Sequence, residues 1–140
     1  MEENKEFRQD LHEELWMWLS RFPLREKMDW PRWSYNGGDV PECPTDCFAC
    51  ESCPRDTSRD FRDCTRCPLV WNGDLKDLCL HAEYDRWCHE DNLEKRSRLA
   101  MKIAKLPLRS NVERDLRNLK LFTFSVMVLF IISCIEVLLH

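Results

Sequence analysis

The chain has 140 residues, of which 44% are hydrophobic and 33% charged, a composition that excludes a disordered polar chain. Three glycines and seven prolines exclude collagen-like and low-complexity architectures. The formal net charge of −4 argues against general affinity for nucleic acid, because neutralising phosphates requires a basic face. Nine cysteines, eight of them between Cys43 and Cys88, indicate a metal site or a disulfide framework.

The charges divide the chain into three zones. Residues 1–91 hold 21 acidic and 12 basic side chains, whereas residues 92–120 hold three acidic and nine basic side chains. Beyond them, residues 121–140 hold a single Asp, Glu, Lys or Arg, Glu136. We predict an amphipathic helix in residues 1–28 and a cysteine-rich zinc-binding region with helices in 29–109. Residues 110–140 are predicted to form a basic collar and a C-terminal transmembrane helix at about 119–139.

The first predicted element is an amphipathic helix over residues 4–22. Apolar side chains recur there at spacings of four, four, three and four, and Pro23 ends the run. This predicted stripe consists of Phe7, Leu11, Leu15, Trp18 and Phe22. We expect it to pack on the cysteine-rich region, since its acidic opposite face argues against binding to anionic lipid.

An aromatic loop follows in residues 29–42, where prolines and Asn36-Gly37-Gly38 indicate turns. Trp30, Trp33 and Tyr35 are large side chains that require burial or a partner. We expect them to cover a metal site, with an aromatic recognition surface as the alternative.

Three further helices are predicted. Residues 75–90 suit a short helix whose inward side chains are Leu75, Leu78, Ala82 and Trp87. Asp91 and Glu94 match a capping box for a second helix that ends at Pro107, and residues 110–113 match one for the last helix. The predicted fold class is mainly α, with an irregular region stapled by zinc.

The cysteine spacing favours zinc knuckles. Cys47-x2-Cys50 and Cys64-x2-Cys67 can each turn back on one tetrahedral metal, and thirteen residues separate the pairs. Cys50-x2-Cys53 offers an overlapping register that spacing alone does not rank. The candidate ligands of one structural zinc are Cys47, Cys50, Cys64, Cys67 and Cys79.

Other uses of the cysteines remain open at this point. Cys79 and Cys88, with His81 and His89 beside them, would supply a second zinc site. An even set of eight clustered cysteines also suits a disulfide-rich exported domain. The run from Cys47 to Cys53 resembles the start of a ferredoxin motif, but it lacks the x3-Cys-Pro that follows in an iron–sulfur site.

The C-terminal segment predicts a membrane span. Residues 121–135 contain no charge, and 21 helical residues from 119 to 139 extend about 31 Å, close to the hydrocarbon thickness of about 30 Å. Arg109, Arg114, Arg117 and Lys120 precede the segment, and the positive-inside rule places the N-terminal part in the cytoplasm. No signal-like segment begins the chain, which favours a C-terminal tail anchor. Hydrophobic oligomerisation is the rival interpretation.

The motifs also resemble those of small cysteine-rich proteins encoded by phages and prophages. Shared features are CxxC at residues 47–50, CxxCP at 64–68 followed by Trp71, and the later Cys79. Trp30-Pro31, residues 36–38, 84–87 and 104–107 fit the same pattern, so the resemblance covers roughly residues 10–109. It implies zinc binding and carries no activity. Cys43, Cys53, Cys88 and the apolar tail depart from the pattern.

These observations predict a binding protein. No catalytic constellation is evident and all-thiolate zinc sites are usually closed, so we expect neither an enzyme nor a small-molecule substrate. Arginines between the knuckles alternate with aspartates, which makes a nucleic-acid-binding zinc finger the less favoured alternative. The leading prediction is a zinc-stabilised adaptor, held at the membrane by residues 119–139, that binds a host or viral protein.

Overall fold

A computed structural model describes residues 6–43, 47–53, 55–56, 61–62, 66–74, 79 and 82–138, with side chains omitted at 55–56, 61–62 and 129–138. The helices in this part are α1 (Gln9–Arg21), α2 (Phe48–Ser52), α3 (Glu83–Cys88), α4 (Leu93–Ala104) and α5 (Arg109–Leu138). Two short strands, β1 (Arg55–Asp56) and β2 (Phe61–Arg62), pair antiparallel with Arg55 opposite Arg62. The mainly helical class is therefore confirmed. The chain divides into two units, Met1–Leu108 and Arg109–His140.

The core of the first unit lies between α1 and α4. Leu15 and Leu19 of α1 and Ile103 of α4 are buried there, and two polar contacts join the helices. His12 Nε2 lies 3.1 Å from the carbonyl oxygen of Ile103, and Ser97 Oγ donates a hydrogen bond of 2.6 Å to the carbonyl of Ser20. As expected, α1 is amphipathic, and the helix it mainly packs against is α4.

The predicted stripe on α1 is partly wrong. Leu11 and Leu15 are buried, but Phe22 is exposed and Trp18 only half-buried, whereas Trp16 and Leu19 belong to the core. The α-helical period allows either set, since Trp16 and Leu19 lie one and four positions after Leu15. Packing against α4, together with edge contacts of the Trp16 ring with Tyr84 and Trp87 of α3, selects the second set.

The aromatic loop folds on itself around a close approach of two backbone segments. Val40 N–H donates to the Arg32 carbonyl, and Gly38 N–H donates to the Trp33 carbonyl. A Cβ at Gly38 would lie 2.2 Å from the backbone of Arg32, so only glycine fits there. The loop buries Trp30 and Trp33 almost fully, while Tyr35 stays exposed.

The next helices agree with the sequence in kind and differ at their ends. Ala82 and Trp87 are buried at α3 as expected, whereas residues 75–78 lie outside the described part. The N-cap of α4 is Asn92, whose side chain accepts the Lys95 N–H at 3.0 Å, so the predicted cap at Asp91 is wrong by one position.

The second unit contains α5, which follows the predicted final helix to Leu138. The large apolar side chains described between Leu116 and Val128 are exposed, including Leu121 and Phe122 at 66% each. In the part of the chain described, no helix is long and apolar enough to cross a membrane, so the expected transmembrane helix is not found there. The prediction also rests on residues 129–135, whose side chains lie outside that part.

Candidate metal centre

The candidate site is a group of thiols arranged around the short helix α2. Cys47 is the N-cap residue of α2 in an extended conformation, and Cys50 follows within the helix. Because the chain changes from extended to helical at Cys47, the Cys47 sulfur can accept a hydrogen bond from the backbone N–H of Cys50. The Cys47-x2-Cys50 sequence therefore folds as a turn whose two side chains meet.

Cys50 connects this turn to a distant part of the chain. Its side chain hydrogen-bonds with Cys47 and also with Cys79, which lies 29 positions later. Cys67 lies near enough to Cys47 for the charges of the two thiolates to interact. Cys50 thus meets Cys47 and Cys79, and Cys67 lies within electrostatic range of Cys47; all four are among the five predicted ligands.

The fifth predicted ligand, Cys64, lies outside the described residues. No three His, Cys, Asp or Glu side chains of the described part are arranged so that they could hold a metal ion. The observed group is a hydrogen-bonded network of thiols.

Hydrogen bonding within this network shifts the pKa values of the two thiols of the turn, Cys47 and Cys50, in opposite directions. The pKa of the Cys47 thiol is lowered to about 7, chiefly by its hydrogen bond with the Cys50 side chain, against the opposing effect of burial. Hydrogen bonds with Cys47 and Cys79, followed by burial, raise the pKa of Cys50. Of the two thiols, Cys47 is therefore the more readily ionised, and the Cys50 thiol is the hydrogen-bond donor between them.

A positive charge faces the network from the loop after α1. The Lys27 ammonium lies near Cys47 and contributes to its lowered pKa. It also lies 4.9 Å from the centroid of the Tyr84 ring on α3. The Trp33 indole N–H donates a hydrogen bond of 2.8 Å to the Lys27 carbonyl and fixes the backbone of this residue.

The segment that carries Cys67 is anchored on both sides. The Trp71 indole N–H donates to Cys67 Sγ at 3.4 Å, and both side chains are buried. Val70 N–H donates to the Pro107 carbonyl, and Leu69 forms a β-bridge with Leu108. These contacts hold Cys67 against the end of α4.

Cys53, the residue of the overlapping register, follows α2 directly. Its thiol lies 3.1 Å from the carbonyl oxygen of Ala49, and its side chain is buried in the core. The described contacts of Cys50 are with Cys47 and Cys79. We therefore favour the Cys47-x2-Cys50 register.

The expected second group is not assembled among the described residues. Cys79 belongs to the network of Cys50, whereas Cys88 is exposed and interacts with Tyr84. The Nδ1 atom of His89, the residue after α3, lies 2.9 Å from the Asp85 carbonyl oxygen. His81 lies outside the described part. All seven described cysteines are thiols, in contrast to the disulfide alternative.

Aromatic rings surround Phe48, the residue after Cys47. Phe48 stacks on Trp33 at 5.3 Å and meets the Trp30 ring edge-on at 6.0 Å. Trp30 and Trp33 are buried, whereas Tyr35 is exposed. That these rings cover a metal site stays a prediction, as does the alternative of an aromatic recognition surface.

Sequence reasoning missed Lys27 and the indole of Trp71 as parts of the site. Trp71 follows Cys67 by four residues, a visible signal, but Lys27 reaches the site only through the folded loop.

Compared with models of protein families, with curated proteins and with solved structures, the chain matches none of them.

Proposed function

We propose that this chain is a zinc-stabilised protein-interaction module. The observation that carries the proposal is the meeting of Cys50 with Cys47 and Cys79, because Cys79 lies 29 positions after Cys50 and still joins the network of the Cys47–Cys50 turn. Thiolates are preferred zinc ligands, and a cation and an N–H donor beside them suit an anionic thiolate centre.

The chemistry of the donor set suits zinc as a structural ion, because all the candidate ligands are cysteine thiols. Cys47, Cys50 and Cys79 would hold it, with Cys67 or Cys64 completing four ligands. When bound, zinc would cross-link α2 to the segments around Cys67 and Cys79. That role suits a region which, apart from the tryptophans, has few large apolar side chains of its own.

The interaction surface proposed is the loop between α1 and the first buried tryptophan, with Tyr35 beside it. Phe22, Leu24 and Met28 are exposed by about half to three quarters of their surface, and the Tyr35 hydroxyl donates to the Met28 carbonyl. Exposed apolar side chains in such a group mark protein contacts.

We further propose that α5 attaches the chain to a membrane, with the first unit on the cytoplasmic side. We also propose that the chain belongs with phage-encoded proteins of this motif pattern.

Zinc content tests the first part of the proposal. The full chain, purified under reducing conditions, should contain at least one zinc ion, and Cys50→Ser should lose it. Cys88→Ser is the matched control, because Cys88 is exposed and its described contact is with Tyr84. Retention of zinc by Cys50→Ser, or equal loss from both variants, would contradict the proposal, as would four disulfides and no metal.

A photo-crosslinking amino acid tests the interaction surface. Placed in cells at Leu24, it should form an adduct with a protein, whereas the same group at Met101, exposed on α4, should not. Equal adducts from both positions, or none from Leu24, would contradict this surface.

A further inference from the structure

We infer that the first unit binds a small organic phosphate in a cavity between α4 and the turn at residues 71–74. The cavity has a volume of about 600 Å³, within the range of about 300–1,000 Å³ that small-molecule sites occupy. It is separate from the thiol network and from the loop of the proposed protein contact. The argument rests on three features of its lining: cations, an apolar floor and a buried anchor.

The cations come from one side of α4 and from the residue that follows it. Arg98, Lys102 and Lys105 line the cavity at positions that recur every three or four residues, so they form a cationic wall on one side. Arg98 is ion-paired with Glu94. Lys102 is ion-paired with Glu83, which leaves Lys105 as the cation of this wall without a carboxylate partner among the described residues. A phosphate has enough acceptor oxygens to bind several such donors, whereas a carboxylate has two.

The floor of the cavity is apolar. Val70 and Leu106 are buried side chains that line it, and Pro107 lies beside them. The Val70 N–H bonds to the Pro107 carbonyl, so this floor is built from two segments held together. A ligand with an apolar group next to its phosphate would place that group here.

A fully buried carboxylate fixes the cationic wall to the turn. Lys102 Nζ lies 2.6 Å from Glu83 Oε1, while the backbone N–H of Asn72 donates to Glu83 Oε2 at 3.2 Å. Lysine has three N–H donors, so the ion pair with Glu83 leaves others for a ligand. The lining is therefore positioned before a ligand arrives.

The turn itself leaves room at the cavity. Asn72 and Gly73 have positive φ angles of 51° and 76°, and Asp74 N–H closes the turn onto the Trp71 carbonyl. The space beside the Gly73 Cα is open. The phosphate thus has access from solvent between this turn and the lysines.

Titration calorimetry with phenyl phosphate and the full chain tests the inference. We expect binding at one site per chain, and about tenfold weaker binding by Lys105→Gln, which removes one charged donor. Lys95→Gln is the matched control, because Lys95 is an exposed cation on α4 that does not line the cavity. Its affinity should stay within about twofold of wild type.

Vesicles distinguish a soluble phosphate from a lipid headgroup. Phosphatidylcholine vesicles with and without phosphatidic acid are compared for the wild-type chain and both variants. Weaker binding by Lys105→Gln alone, toward phenyl phosphate or toward phosphatidic acid, supports the inference and identifies the source. If Lys105→Gln and Lys95→Gln behave alike toward both probes, or if neither probe binds, the inference is overturned.

Discussion

The indole N–H of Trp71 lies 3.4 Å from the sulfur of Cys67, and both side chains are buried in the core of the first unit. An N–H donor directed at a thiolate stabilises the charge that the sulfur carries when it binds a metal. This contact links the aromatic core to the proposed zinc centre.

The first prediction concerns this contact. Trp71→Phe removes the donor and keeps most of the ring packing, so zinc affinity should fall by about tenfold, as expected for an outer partner of a metal ligand. Competition with a chromophoric chelator measures the change. Trp87→Phe, a buried indole outside the described thiol contacts, is the control and should keep wild-type affinity. Equal zinc affinities for Trp71→Phe and wild type would contradict the role.

The second prediction concerns the buried ion pair of Glu83 and Lys102. Burial opposes ionisation of Glu83, but the ammonium of Lys102 and backbone N–H groups outweigh it, and the pKa of the carboxyl is lowered. Lys102→Met leaves this charge without its partner and should lower the free energy of unfolding by about 2 kcal/mol, less than a fully buried pair because Lys102 is partly exposed.

Glu83→Gln provides the comparison for that measurement. Urea unfolding of both single variants and the double variant gives their coupling energy. In the Glu83→Gln background, Lys102→Met should cost much less than in the wild type. Additive losses would show that the two side chains act independently.

These contacts show where sequence reasoning stops. The spacing in α1 predicts a helix correctly, but either of two apolar faces satisfies it, and the burial of Trp16 and Leu19 depends on contacts with α4 and with aromatic rings of α3. Glu83 reads as a surface residue of a charged segment, because its burial depends on Lys102, which lies 19 positions later.

The candidate site follows the same rule. The spacing Cys47-x2-Cys50 is visible in the sequence, and so is the overlapping pair with Cys53. The contact of the Cys53 thiol with the Ala49 carbonyl exists only once α2 has formed. Cys79 was a candidate by type, and its contact with Cys50 required the folded chain.

The third prediction is a loss of stability in acid caused by His12. Burial lowers the pKa of His12 to about 4, against an ordinary value of 6.5, although the Ile103 carbonyl favours its protonated form. The folded state thus binds fewer protons than the unfolded state between these values. The free energy of unfolding is therefore unaffected by His12 protonation above pH 6.5. It falls as the pH drops from 6.5 toward 4, by about 3 kcal/mol in total.

His12→Gln isolates this effect. Glutamine can still bond to the Ile103 carbonyl but does not titrate, so the variant should show a smaller fall in unfolding free energy between pH 7 and pH 5 than wild type. Urea unfolding at several pH values measures both slopes. Parallel slopes would exclude His12 as the cause.

The last prediction concerns α5 and its proposed lipid contact. Leu121, Phe122 and Phe124 are each exposed by more than 60%, and they point in different directions around the helix because successive residues are about 100° apart. An exposed apolar surface of this kind requires lipid or another protein surface. Full-length chain expressed in cells should sediment with membranes and resist carbonate extraction.

Charge substitutions separate lipid from self-association. Val128→Arg and Ile131→Arg together should shift the chain toward the soluble fraction, since each arginine costs about 2.5–3.5 kcal/mol near the centre of a membrane helix. Asn118→Arg, which precedes the apolar stretch, is the control and should sediment as wild type does. If the wild-type chain is soluble and forms a discrete oligomer that the arginines dissociate, α5 packs on copies of itself and the membrane proposal fails.

If the wild-type chain sediments with membranes, added protease should digest residues 1–108 only after the cytoplasmic side is opened, because the basic residues before the apolar stretch favour that side.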